Sequence, residues 1–77
     1  MKITVMIFGQ LAELTDAAKL NFENVKDTNE LIQHLQQKYP LFSKACYTIA
    51  VDKKIIKENT SLNPGATVAL LPPFSGG

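Results

Sequence analysis

The 77-residue sequence contains no arginine, and all eight of its basic residues are lysines. Arginine is the side chain that binds phosphates and carboxylates through two parallel hydrogen bonds, so its absence argues against such recognition by the domain itself. The net charge of +1 also gives no electrostatic reason to expect binding to nucleic acid or to a membrane surface. We therefore predict neither of these as a partner.

Cysteine and histidine are each present only once, as Cys46 and His34. A single cysteine excludes an internal disulfide and fits a reducing compartment, and one cysteine with one histidine cannot form a zinc site. We expect Cys46 to be a small core residue and His34 to be solvated. No metal site is predicted, and we expect the chain itself to bind no cofactor.

Long apolar segments are also missing. The apolar run at residues 3–8 is interrupted by Thr4 and is too short for a secretory signal, and nothing approaches the length of a membrane span. With 45% hydrophobic and 19% charged residues, the composition is that of an ordinary globular domain. We expect one domain, located in the cytoplasm.

Alternating apolar residues predict strands at residues 2–8, 19–23, 47–51 and 67–71, with a short strand at residues 55–57. In the first strand, Ile3, Val5 and Ile7 share one face. Residues 10–14 favour a short helical turn, and Asn63-Pro64-Gly65 is typical of a turn.

One helix is predicted, at residues 28–39. Asp27 is a candidate N-cap with Glu30 three positions on, the arrangement of a capping box, and Thr28 is the competing cap. Pro40 ends the helix. Residues 41–46 are ambiguous and include a possible helical turn. The helix carries apolar residues at helical spacing: Leu31, Ile32, Leu35 and Tyr39.

The order strand, strand, helix, strand, short strand, strand predicts a two-layer α+β fold. A right-handed crossover over the helix favours parallel first and last strands lying side by side. That arrangement is the β-grasp (ubiquitin-like) roll, a mixed sheet of four to five strands with one main helix on one face. We assign residues 1–71 to the domain and residues 72–77 to an extended tail.

The sheet face away from the helix has no second helix to cover it. Alternation directs Met6, Phe8, Ala69 and Leu71 toward that face. Two interpretations are open: an exposed apolar surface that binds a partner, or a surface covered by the segments after Phe8 and after Lys57.

The tail reads Pro72-Pro73-Phe74-Ser75-Gly76-Gly77. Two prolines prevent further sheet pairing and favour an extended backbone, so six residues can reach about 20 Å. The last two residues have no side chain. We hypothesise that the Gly77 carboxylate is the functional group and that the preceding residues present it.

Residues 70–77 resemble the closing Pro-Pro-x-(Ser/Thr/Ala)-Gly-Gly of the MoaD-type sulfur carriers, the small subunit of molybdopterin synthase. The resemblance covers the whole chain. It also includes the first strand ending at Phe8, the following Glu13-Leu14, Leu31 and Leu35 of the helix, and the Leu62-x-x-Gly65 approach to the last strand.

This resemblance implies a carrier cycle. A ubiquitin-activating-like enzyme consumes ATP to adenylate the Gly77 carboxylate, and a sulfur donor system converts the adenylate to a thiocarboxylate. The tail then enters the large subunit of molybdopterin synthase and gives its sulfur to the cyclic pyranopterin precursor. Family members form a heterotetramer with that subunit.

The resemblance also implies roles for individual residues. Gly77 carries the chemistry, and Gly76 provides clearance in the partner's channel. The expected partner-binding residues are Pro72, Pro73, Phe74, Ser75, Leu71, Phe8 and Met6. The chain shows no catalytic acid, base or metal site of its own, so we expect any rate enhancement to come from the proteins that receive the tail.

Three positions depart from the family pattern. Phe74 stands where valine is frequent, which predicts a larger partner pocket, and Ala12 and Ala66 replace charged residues that we expect on surfaces near the sheet. Two other functions are considered. Thiamine-pathway sulfur carriers also end in Gly-Gly but typically lack the Pro-Pro step. The other alternative is a ubiquitin-like modifier joined through Gly77 to lysines of target proteins, or a plain interaction domain.

Overall fold

The computed structural model describes residues 2–15 and 17–72. Five strands, one α-helix and two short 3₁₀ helices follow one another in the order that the sequence predicts. They are β1 (Lys2–Ile7), a 3₁₀ helix (Gly9–Leu14), β2 (Lys19–Glu23), α1 (Thr28–Lys38), a second 3₁₀ helix (Pro40–Lys44), β3 (Thr48–Val51), β4 (Lys54–Ile56) and β5 (Thr67–Leu71).

The strands form one mixed sheet in the order β2-β1-β5-β3-β4. The central pair, β1 and β5, is parallel, and every other neighbouring pair is antiparallel. Parallel neighbours need a long crossover connection, which here contains α1. The β-grasp prediction is confirmed, with five strands.

The core lies between α1 and one face of the sheet. Ile3, Val5 and Ile7 of β1 are at most 3% exposed, and Val68 and Leu70 of β5 are fully buried. They pack in one cluster with Leu31 and Leu35 of the helix. The predicted inward face of the first strand is therefore confirmed.

Asp27 is the N-cap of α1, since its Oδ1 accepts a hydrogen bond of 2.9 Å from the Glu30 N–H. The Glu30 carboxylate accepts from the Lys26 N–H at 3.3 Å, one residue before the position that a reciprocal capping box would use. The Thr28 hydroxyl instead donates to the Asn59 side chain at 3.2 Å and accepts from the Thr60 N–H at 2.9 Å. Thr28 thus attaches the loop before β5 to the start of the helix and is not the cap.

Two turns fix the ends of β4 and β5. Asp52 and Lys53 both have positive φ, 49° and 73°, as a two-residue hairpin turn of type I′ requires. β4 consequently starts at Lys54, one residue earlier than predicted. Before β5, Gly65 has φ +83° and the Ala66 N–H donates to the Asn63 carbonyl at 3.0 Å, which is a type II turn.

Two expectations about burial are wrong. Cys46 is exposed and does not fill the core; its neighbours Ala45 and Tyr47 pack against the core instead. Ala66 is only 4% exposed, so this position does not lie on a surface, whereas Ala12 is half-buried and packs against the core. The expectation that His34 is solvated agrees with its exposed position on α1.

Candidate functional site

The tail leaves the sheet from its central strand. β5 is hydrogen-bonded to β1 on one side and to β3 on the other. Leu70 is fully buried, and Leu71 and Pro72 are half-buried. A strand paired on both edges and packed on the core is among the most rigid parts of a small domain, so the base of the tail is firmly held.

The remaining tail residues lie outside the described part of the chain. They are Pro73, Phe74, Ser75, Gly76 and Gly77. The roles expected of them, and the assignment of residues 72–77 as an extended arm, stay predictions.

Met6 and Phe8 lie beside the base of the tail on the sheet face away from α1. Met6 pairs with Ala69 across the β1–β5 ladder, and the Phe8 N–H donates to the Leu70 carbonyl at 3.0 Å. Their side chains are 38% and 41% exposed. Two large apolar side chains thus remain open to solvent next to the point where the tail begins.

The segments that could have covered this face turn the other way. After Phe8, the 3₁₀ helix Gly9–Leu14 buries Leu11 in the core. After Lys57, Asn59 and Thr60 are hydrogen-bonded to Thr28 at the start of α1. Of the two interpretations, the structure therefore supports the exposed surface; binding of a partner there stays a prediction.

The strand register extends this surface to the edge of the sheet. Ala69 pairs with Ala50 of β3, and Ala50 pairs with Ile55 of β4. Paired residues project from the same face, so Met6, Ala69, Ala50 and Ile55 form one row across four strands. Ile55 is 57% exposed, whereas Ala50 beside it is only 5% exposed. We call Met6, Phe8, Ala50, Ile55, Ala69 and Leu71 the far-face patch.

Ala50 and Ile55 were missed at the level of sequence. The signal that could have found them is the two-residue turn at Asp52-Lys53, because this turn makes Val51 and Lys54 neighbours and places Ala50 opposite Ile55. The short apolar pair Ile55-Ile56 alone does not show which of the two faces solvent.

The far-face patch contains a shallow depression of about 380 Å³, lined by Met6, Phe8, Asp52, Lys53, Thr67 and Ala69. It can receive an apolar side chain and has one acidic and one basic side chain at its rim. A larger groove of about 590 Å³ lies between the start of α1 and the β3–β4 hairpin. Of the far-face patch, Ile55 alone lines that groove, and Pro72 does not line it.

The chemistry of the described residues is sparse. Burial raises the pKa of Tyr47 above its ordinary value of about 10, and a hydrogen bond to Gln36 partly offsets this. Across residues 2–15 and 17–72 there is no group of three or more His, Cys, Asp or Glu side chains that could hold a metal ion. In the same residues no helix has the length and apolar character of a membrane span.

The mixed five-stranded sheet with one helix on one face is the ubiquitin-like β-grasp architecture, so the fold places the chain among ubiquitin-like proteins. Comparison with known families makes the class more specific. The model of the ThiS family matches residues 5–77, which include the whole tail. The chain belongs to this family of sulfur carriers, and the match together with the relatives below confirms the resemblance seen in the sequence.

Three relatives place the chain further. It is 33% identical to the molybdopterin synthase sulfur carrier subunit of Mycobacterium tuberculosis, over all of this chain and 99% of that protein. It is 30% identical, with a TM-score of 0.76 and full coverage of both chains, to a chain in the complex of subunits 1 and 2 of the molybdopterin-converting factor from Helicobacter pylori. The small archaeal modifier protein 1 of Methanosarcina acetivorans shares the fold, with a TM-score of 0.84 at 22% identity over 99% of this chain and 96% of that one.

Proposed function

We propose that this chain carries sulfur for the synthesis of molybdopterin, as a thiocarboxylate on Gly77. The observation that carries the proposal is a coincidence of three features. The Pro-Pro-Phe-Ser-Gly-Gly tail directly follows the central strand β5, this strand lies beside an exposed apolar patch, and the full-length relative at 33% identity is a molybdopterin synthase sulfur carrier subunit.

The chemistry begins with activation. A carboxylate is a poor electrophile, so an adenylating enzyme of the ubiquitin-activating type first joins the Gly77 carboxylate to AMP, using ATP and releasing pyrophosphate. A sulfur donor system then displaces AMP and leaves a thiocarboxylate. The chain supplies the acyl group in both steps, and the adenylating enzyme binds the nucleotide.

Delivery follows in a second protein. The tail enters the large subunit of molybdopterin synthase, where the thiocarboxylate sulfur attacks the cyclic pyranopterin precursor. Water then cleaves the bond between the Gly77 acyl carbon and this sulfur, which leaves the sulfur on the pterin and returns Gly77 to a carboxylate. Gly76 and Gly77 are compatible with a narrow channel because they add no side chain. Phe74 is the proposed anchor, with Pro72, Pro73 and Ser75 around it, since a buried aromatic can dominate a small interface.

The far-face patch is the proposed docking surface for the large subunit. Exposed apolar side chains beside a functional segment are typical of partner-binding sites, and Met6 and Phe8 meet this description. Leu71 links the patch to the tail, so binding of the patch would hold the tail at the entrance to its channel. The proposed assembly contains two copies of each subunit.

The experiment is an intact-mass measurement. The protein is incubated with ATP, the adenylating enzyme and a sulfur source, and then weighed. The proposal expects the mass change that corresponds to replacement of one oxygen by one sulfur, located by fragmentation at Gly77. A variant lacking Gly77 is expected to keep its fold and show no such change.

Other results would identify the alternatives. Accumulation of higher-mass conjugates to lysines without a thiocarboxylate would replace the proposal with a ubiquitin-like modifier. Formation of the thiocarboxylate together with transfer to a thiamine-pathway acceptor, and none to the pterin precursor, would assign the chain to the related pathway.

His34→Ala is the control for the variant lacking Gly77, because this exposed helix residue lies outside the proposed sites. It should form the thiocarboxylate as the wild type does.

A further inference from the structure

Gly9 lies directly against the first residue of the tail. A Cβ atom built on Gly9 would be 2.7 Å from Cγ of Pro72 and 3.6 Å from its Cδ. Ring atoms of proline are tied to its own backbone, so this neighbour cannot move aside as the end of a flexible side chain would. Any side chain at position 9 must displace either Pro72 or the 3₁₀ helix that begins at Gly9.

The contact sits where the tail departs from the sheet. The hydrogen bond from the Phe8 N–H to the Leu70 carbonyl, 3.0 Å long, is a cross-link between the two chain segments near this point. Gly9 follows Phe8 by one residue, and Pro72 follows Leu70 by two. Beyond this hydrogen bond, the Pro72 ring packs directly against Gly9, and we call this the Gly9–Pro72 contact.

We infer that Gly9 is a positioning residue, whose missing side chain lets Pro72 rest on the start of the 3₁₀ helix after β1 and so sets the direction in which the tail leaves the domain. The inference rests on the proposed function, because direction matters only if the tail must enter a partner. Five residues follow Pro72 and span at most about 18 Å when extended. A misplacement of about 1 Å at a reacting group can reduce a rate by roughly a hundredfold.

Backbone strain is the competing explanation, since Gly9 has φ +61°. Gly65 separates the two effects. It also has positive φ, +83°, but a Cβ built on it would meet nothing within 4 Å. Asparagine tolerates this backbone region better than other residues with a side chain. The pair Gly9→Asn and Gly65→Asn therefore matches the backbone requirement and differs in the contact with Pro72.

The test measures thiocarboxylate formation and sulfur transfer for both variants, together with their thermal unfolding. We expect similar small shifts in Tm. The rate of sulfur transfer, measured with the carrier protein at limiting concentration, should fall about tenfold for Gly9→Asn and less than twofold for Gly65→Asn. Gly9→Ala places the same Cβ atom against Pro72, so it should also lower the rate.

A double-mutant cycle with Pro72→Ala decides whether the effect passes through Pro72. In that background, which lacks the Cγ atom, Gly9→Asn should reduce the rate less than twofold. Equal losses for Gly9→Asn and Gly65→Asn, no loss for Gly9→Asn, or an undiminished loss in the Pro72→Ala background would overturn the inference.

The two proposals fail in different ways. Absence of a thiocarboxylate in the wild type contradicts the proposed function and does not bear on the Gly9–Pro72 contact. NMR measures that contact directly, as a nuclear Overhauser effect between the Gly9 Hα and the Pro72 ring protons. Absence of this contact in the wild-type protein contradicts the inference whether or not sulfur is carried.

Discussion

The two faces of the sheet are built from the same strands and have opposite surroundings. Toward α1, the β1 side chains of Ile3, Val5 and Ile7 are at most 3% exposed. On the other face, Met6 of the same strand is 38% exposed, and Phe8, the residue directly after the strand, is 41% exposed. The first set is packed between two layers, and the second has no layer above it among the described residues. The comparison suggests that one face stabilises the domain and the other is available to a partner.

The largest effect is expected on the helix-facing side. Leu70→Ala removes a fully buried side chain from the core, and such changes lower the free energy of unfolding by about 2–5 kcal/mol. That is a large share of the stability of a domain of this size. Urea unfolding followed by circular dichroism measures the loss. A change below about 1 kcal/mol would mean that the core does not depend on this side chain.

On the far face the expectation reverses. Phe8→Ser should weaken binding to the large subunit of molybdopterin synthase at least about tenfold, while the free energy of unfolding changes by less than about 1 kcal/mol. Calorimetric titration and urea unfolding give the two quantities.

Leu41→Ser is the matched control for Phe8→Ser. Leu41 is 61% exposed, so it is also an apolar surface residue, but it lies on the 3₁₀ helix after α1. Its substitution should leave partner binding unchanged. Equal losses of affinity in the two variants would indicate general surface stickiness and contradict a specific far-face patch.

A smaller effect tests the helix layer. Asp27→Ala removes the cap that accepts from the Glu30 N–H and should lower the free energy of unfolding by about 1 kcal/mol. Because α1 lies on the side opposite the far-face patch, affinity for the large subunit should stay the same. Loss of affinity without loss of stability would show that the partner also contacts the start of the helix.

The smallest effect concerns pH and Tyr47. Burial raises the pKa of Tyr47, so the folded state favours the protonated phenol. The corresponding stability is present below the unfolded pKa of about 10 and is lost as pH rises through the folded pKa. Tyr47→Phe should therefore unfold less steeply with pH above about 10 than the wild type. Identical alkaline profiles would show that Tyr47 does not contribute to this loss.

The comparison of the two faces was largely available from the sequence. Alternation in residues 2–8 separated Ile3, Val5 and Ile7 from Met6 and Phe8, because a strand turns successive side chains to opposite faces. The cap at Asp27 was also predictable, since its partner Glu30 is local. These features depend on neighbours within a few residues.

The parallel pairing of β1 and β5 was predicted, but the detailed placement of residues that are distant in sequence was not. Nothing local showed that Ala45 and Tyr47 would pack against the core while Cys46 is exposed, or that Ala66 would be buried after the type II turn. The contact between Gly9 and Pro72 joins the two ends of the chain. It depends on the register of the β1–β5 pairing, which no local pattern in the sequence indicates.

The most direct test of the account is a single-turnover transfer. The protein is prepared with a chemically installed thiocarboxylate at Gly77, mixed with the large subunit of molybdopterin synthase and the cyclic pyranopterin precursor, and followed by mass spectrometry. The account predicts that the protein returns to the carboxylate form as sulfur appears in the pterin. A thiocarboxylate that persists in a fully formed complex, with no sulfur in the pterin, would contradict it.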